Sequence, residues 1–392
     1  MSLTVEREPI DISTLPANLQ KHLDPGAPAK LKMMTARRML PITPEQNVRM
    51  LYQLAIAAGG EVAEEAEKAF GDVPANIVVP VVQKEDHVGV LDWIAARRVA
   101  DAPIIEAVVS NNATADETVA RLASRADARM CDVIATNQVR LLQAPVIVEQ
   151  LYQNANARMA TVDRLLELCR REGVELKGLP GIREALQSDR DIFGEDAERE
   201  EDPEFAALLQ QEARKAARED REIPDFDKMS RSEQERYLRE QEEKKEEDDE
   251  QRVRSMYDKL SRMTIAEKIR FATIGTREAI NILVRDPNKL VHSAAVKSPR
   301  VRYPDVRNWA KNKSLPDSVI AYIAGNRDYT RHYEVMLNLV NNPKTPLHDT
   351  MSFLNHIRTN DLKSLSRNRN VPTQVSRQAK NLWRKRSGGS RR

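Results

Sequence analysis

From residue 282 onward no helix can run far. Each apolar stretch is interrupted by Asn or Asp and then Pro: ILVRDPNKLVHSAAVKSP, VRNWAKNKSLPDSVIAYIAGN, YEVMLNLVNNPKTPLHDTMSFLNHI and LKSLSRNRNVPTQVSRQAKNLW. Proline removes a backbone donor and presets φ for the first turn of the next helix. Asparagine tolerates the left-handed conformation at a helix end. The pieces left between these stops span about 8–12 residues, with apolar positions at helical spacing. Helices that short are marginal alone and take their stability from neighbours. The pattern predicts an all-α chain of short helices packed side by side.

The first half has the same grammar. Thr43-Pro44-Glu45-Gln46 reads as a capping box with proline at the first helical position, and Gly59-Gly60 stops that helix. Thr114-Ala115-Asp116-Glu117 reads as a second capping box. The stretch PANIVVPVVQK (74–84) contains Pro80, so two short helical pieces are expected there.

The two halves also resemble each other. WIAARRVADAPIIEAVVSNN (93–112) and WAKNKSLPDSVIAYIAGN (309–326) share Trp, Ala, basic residues, a Pro, an apolar cluster and a closing Asn in the same order. A unit of roughly 25–30 residues that recurs this way predicts an α-solenoid, in which each unit buries its apolar face against the next. Asn111, Asn112, Asn137, Asn326, Asn341, Asn342 and Asn370 fall at unit ends. They are expected to cap helices and satisfy backbone groups between layers rather than bind a ligand. Trp93, Trp309 and Trp383 are expected to be packing anchors.

The phrases ILVRDPNKLVHSAAVKSP, IAGNRDYTRHYEVMLNLVNNPKTPL and SLSRNRNVPTQVSRQA resemble the leucine-rich-repeat-variant family, whose units resemble HEAT repeats. Asn342-Pro343-Lys344-Thr345-Pro346 is the closest local match to the turns of that family. The resemblance is good over about 280–380 and loose over 35–175. It implies two short helices per unit and no shared activity. Some members hold a cysteine-ligated iron–sulfur cluster, but this chain has only Cys131 and Cys169, so the cluster is not expected here. The whole layout also resembles bacterial repeat proteins. The expected organisation is an N-terminal extension (1–30), a helical-repeat domain (31–188), an acidic linker (189–252), a basic helical-repeat domain (253–383) and a basic disordered tail (384–392).

The net charge of +2 conceals a sharp division: −4 over 1–188, −12 over 189–252 and +18 over 253–392. The acidic segment has few apolar residues, among them Ile192, Phe193, Phe205, Leu208, Leu209, Phe226 and Tyr237. These cannot offset the ordering entropy of a domain, roughly 1–2 kcal/mol per residue. A charged, partly helical linker is expected. It is read either as a solvated spacer or as an arm that touches a basic surface, its own or a partner's.

The basic array supplies the one candidate binding surface: Arg300, Arg302, Arg307, Lys311, Lys313, Arg327, Arg331, Arg367, Arg369, Arg377, Lys380 and Arg384. Tyr303, Tyr322, Tyr329, Tyr333 and Trp309 interleave with these charges, as they would in a surface that stacks nucleotides. No P-loop, dinucleotide fingerprint, zinc-protease helix or nucleophile elbow is present. The six histidines show no ligand spacing, and the two cysteines sit at apolar helical positions. MSLTVEREPIDIS has neither a basic start nor an apolar core, so no secretory signal is expected, and no apolar run is long enough to span a membrane. The sequence therefore reads as a cytoplasmic, non-enzymatic scaffold that binds protein and needs no cofactor. The alternative is a nucleic-acid-binding protein that uses the basic array.

Overall fold

The computed structural model describes residues 3–187, 203–222, 224, 226–230, 232–237 and 249–388, with backbone alone for 222, 227, 249–252 and 388. Among these residues every regular element is helical and there is no strand. The chain divides into two units, Met1–Glu175 and Leu176–Arg392.

In the first unit Thr43 caps helix Pro44–Ala57 through the expected capping box, and helix Gly60–Gly71 follows Gly59 and Gly60, both at positive φ. The core is built on Tyr52, Phe70 and Trp93, with ring centroids 5.8 Å (Tyr52–Trp93) and 4.3 Å (Phe70–Trp93) apart. Gly89 lies so close to Tyr52 that a Cβ there would collide with the phenol oxygen. Within the expected N-terminal extension, residues 3–30 contribute to this core. Ile10, Leu15, Leu19 and Leu23 are buried, the last two on helix Ala17–Leu23.

Two local expectations fail for visible reasons. Ala75–Lys84 is one helix, not two. Val78, Val81 and Val82 are buried and hold it together, while Pro80 and Asn76 are exposed, so the Asn76 carbonyl left without a proline N–H faces water. Thr114 does not cap helix Asp116–Ala123; its hydroxyl donates instead to the Val108 carbonyl (2.6 Å).

Asparagines tie successive layers together. The Asn111 amide donates to the Val82 and Glu85 carbonyls at 2.6 and 2.9 Å. Asn154 donates to Ala123 and Ala126 at 2.8 and 2.9 Å. In the second unit Asn342 donates to Ala310 and Asn312 at 2.9 and 3.2 Å. Each side-chain oxygen then accepts from the backbone two residues on, at Ala113, Asn156 and Lys344. The carbonyls reached lie 26–32 residues earlier in the chain. These carbonyls lie at or near helix ends, where intrahelical donors run out, and the Ala126 carbonyl also accepts from Asn156 at 3.1 Å.

The second unit adds side-chain rungs 27 or 28 residues apart: Arg277–Asp305, Asn281–Trp309, Arg307–Glu334, Tyr333–Asp361 and Asn341–Asn368. Its last core gathers Val340, Leu354, Ile357, Leu362, Leu365, Val371, Val375 and Ala379, with Trp383 against it. Residues 176–187, which the sequence places in the first array, belong to this unit. Gly181 packs against the backbone of Ala294, and Lys297 pairs with Glu184 at 2.6 Å. Helix Thr373–Gly388 runs through 384–388, where a disordered tail is expected. Arg386 is a cap there, donating to the Ile357 and Asn355 carbonyls at 2.5 and 2.7 Å. Residues 389–392 lie outside the described residues, as do Ile192 and Phe193.

Candidate protein-interaction surface

Part of the acidic segment is a packed helix, Pro203–Glu222, and not a free spacer. Phe205, Leu209, Glu212 and Ala216 are buried. They are spaced four, three and four apart, which puts them on one stripe. That stripe faces helix Ile265–Ile274. A guest helix needs only such a stripe, far less apolar surface than an independent domain.

The polar side of the contact is built from acids of the guest and cations of the array. Glu212 accepts from the Thr276 hydroxyl (2.9 Å) and from Lys215 (2.7 Å). Glu219 accepts from the Arg277 backbone N–H at 3.3 Å. Asp220 takes Arg300 at 2.8 Å and has Arg302 at 3.9 Å. Arg277 makes a two-pronged pair with Asp305, at 3.1 and 2.6 Å. Burial works against the Arg277 charge, but Asp305 more than offsets it, so its pKa is raised. Burial dominates at Arg300 and lowers its pKa, against the pull of Asp220 and Glu219. A buried guanidinium without a carboxylate is costly, so Arg300 favours an acidic occupant here.

The structure divides the twelve candidate cations. Arg300 is half-buried and committed to Asp220, and Arg307 is half-buried and donates to Glu334 at 2.6 Å. Arg302, Lys311, Lys313, Arg327 and Arg331 are exposed, and Arg331 lies 3.4 Å from the His332 ring nitrogen. Arg367, Arg369, Arg377, Lys380 and Arg384 are also exposed. The last three fall at i, i+3 and i+7 on helix Thr373–Gly388, a single stripe.

The interleaved aromatics are engaged by the fold. Trp309 is buried and donates to Asn281 at 2.7 Å. Tyr303 lies against Phe226 and His332, with centroids 5.4 and 4.5 Å away. Phe226 in turn meets Tyr237, so a second piece of the acidic segment reaches the array. Tyr333 donates to Asp361 and carries Arg358 over its ring at 4.4 Å. Lys297 stands over Tyr322 at 5.4 Å, and burial pushes the Tyr329 phenol up to about 12. Between Tyr303, Arg331, His332, Tyr333 and Arg358 lies a shallow cleft of about 260 Å³. Sequence reasoning missed Asp220, Glu212 and Thr276 as members of this surface; the apolar spacing of Phe205 and Leu209 was the available signal.

Both cysteines are buried and neither is in a disulfide, and burial raises the Cys169 thiol to about 11. No group of three His, Cys, Asp or Glu side chains converges as metal ligands among the described residues, and no described helix is long and apolar enough to cross a membrane. Comparison of the chain with protein-family models, curated proteins and solved structures finds no match.

Proposed function

We propose that the chain is a non-enzymatic scaffold, a HEAT-like α-solenoid of the leucine-rich-repeat-variant type, whose basic C-terminal array binds acidic protein segments. The period of 26–32 residues in the asparagine bonds supports the repeat reading. One observation carries the binding reading: the array holds an amphipathic helix through individual acids, with Arg300 on Asp220 and Thr276 on the buried Glu212. The aromatic rings that would stack on bases are turned into intramolecular contacts, which favours protein over nucleic acid. Two buried thiols outside any disulfide fit a reducing cytoplasmic setting.

The test uses the full chain and a variant carrying Arg367→Glu, Arg369→Glu and Arg377→Glu. Titrated with duplex and single-stranded DNA at physiological salt, both should show only weak binding. Submicromolar binding, with log affinity falling by roughly 0.9 per duplex phosphate against log salt and abolished in the variant, would make nucleic acid the ligand instead.

A further inference from the structure

Residues 3–9 form no helix and bury no side chain fully, and only Ile10 at the end of the segment joins the core. They run extended across the first unit, and exposure alternates: Leu3, Val5 and Arg7 are half-buried, Thr4, Glu6 and Glu8 exposed, and Ile10 buried. An extended strand segment cannot satisfy its own backbone groups, so something else must. Here side chains from two helices meet part of that need. Arg121, on helix Asp116–Ala123, donates to the Leu3 carbonyl at 3.2 Å. Tyr52, on helix Pro44–Ala57, donates its hydroxyl to the Glu8 carbonyl at 2.6 Å, and its neighbour Gln53 accepts the Ile10 N–H at 2.9 Å. Between these, Arg7 donates to Asp92 on helix Val88–Arg97 at 2.8 Å. The segment thus crosses the helices in the reverse of their order along the chain.

Asp92 is the centre of the groove. Its side chain is 2% exposed, and besides Arg7 it accepts from the Thr118 hydroxyl at 2.6 Å and from Arg121. It stands inside an apolar helix, between Leu91 and Trp93, where a carboxylate is expensive unless a cation meets it. Arg121 also reaches the segment's backbone, so one buried acid organises both a side-chain pocket and a backbone clamp. Burial would raise the Asp92 pKa, but Thr118, Arg121 and Arg7 outweigh it and hold the carboxyl below its usual range.

We infer that this face of the first unit is a peptide-recognition groove for an extended segment of a partner protein, with arginine at the position of Arg7 and apolar residues at those of Leu3, Val5 and Ile10, and that residues 3–10 occupy it in cis until such a segment displaces them. Three features set the segment apart from a structural element. It uses its backbone as the ligand, it seats a charged side chain on a buried acid, and its apolar anchors other than Ile10 are only half-buried. The groove lies in the first unit and stands or falls independently of the basic array.

The probe is a fluorescent synthetic peptide of residues 1–12. The full chain and its Arg7→Ala variant are titrated by anisotropy. Arg7→Ala weakens the cis occupant and leaves every groove residue in place. The competent fraction rises, so the variant should bind the probe about tenfold more tightly than the parent chain. A probe carrying Arg7→Ala should bind neither, and one carrying Arg7→Lys should bind less tightly than the parent probe, because lysine lacks the Nε–H that meets Asp92. Equal probe binding by the two chains, or no discrimination among the three probes, would overturn the proposal. A second measurement needs no variant. In native-state hydrogen exchange of the full chain, the Ile10 amide should exchange through local opening, well ahead of the buried amides of helix Pro44–Ala57. Exchange of Ile10 together with those amides, at the global unfolding rate, would mean that the segment is a fixed part of the fold and would also overturn it.

Discussion

The clearest residue-level result concerns asparagine. Asn342 is buried, its amide feeds two carbonyls, and its oxygen takes the Lys344 N–H. Asn326 makes a simpler cap, accepting from the Asp328 N–H at 2.9 Å. Asn342→Ala should therefore cost about 2–3 kcal/mol, because two buried carbonyls lose their donor, and Asn326→Ala about 1 kcal/mol. Chemical denaturation of the full chain, followed through the transition of the second unit, checks the ranking; equal costs would refute the interlayer role. That these residues are structural was readable from their recurrence at unit ends. Thr114 was misread because a capping box depends on where the helix begins, and helix Asp116–Ala123 begins after Ala115. Asp92 offered a signal that spacing rules do not weigh: one acid in the apolar run VGVLDWIA.

At the scale of elements, helix lengths and stops were legible because Pro, Gly and Asn act locally. The docking of helix Pro203–Glu222 was not, because it depends on a surface assembled from residues some 60 positions further on, such as Thr276, 64 residues beyond Glu212. Its buried stripe should be its weak point. Leu209→Asp puts a charge into an apolar contact and removes a side chain that is 1% exposed. The variant should lose hydrogen-exchange protection across 203–222, while helices Lys289–Val296 and Tyr303–Lys311 keep theirs. Retained protection across 203–222 would show that the polar contacts alone hold the helix. Loss of protection in those two helices as well would show that Pro203–Glu222 is a full member of the core.

For the whole molecule, the asparagine bonds span 26–32 residues and the second unit's rungs 27–28. The division of the units was displaced. Residues 176–187 carry little charge to mark them, and what assigns them to the second unit is the close approach of Gly181 to Ala294, a contact no local pattern announces. The basic charge of the second half was equally plain, yet its meaning depends on pairing. Arg277, Arg300 and Arg307 are matched to Asp305, Asp220 and Glu334, and the remaining candidates stand on the surface. The account therefore makes the basic array a reader of amphipathic helices that present acids to it. Its most direct test is a competition in the Leu209→Asp chain, whose own helix is released. A labelled peptide of residues 203–222 and a 20-base-pair duplex are titrated separately across a salt series. The account predicts that the peptide binds at physiological salt with a shallow salt dependence, is displaced by unlabelled peptide, and loses affinity when it carries Leu209→Asp, while the duplex binds only at low salt. Tight duplex binding with a steep salt slope, and no peptide binding, would contradict it.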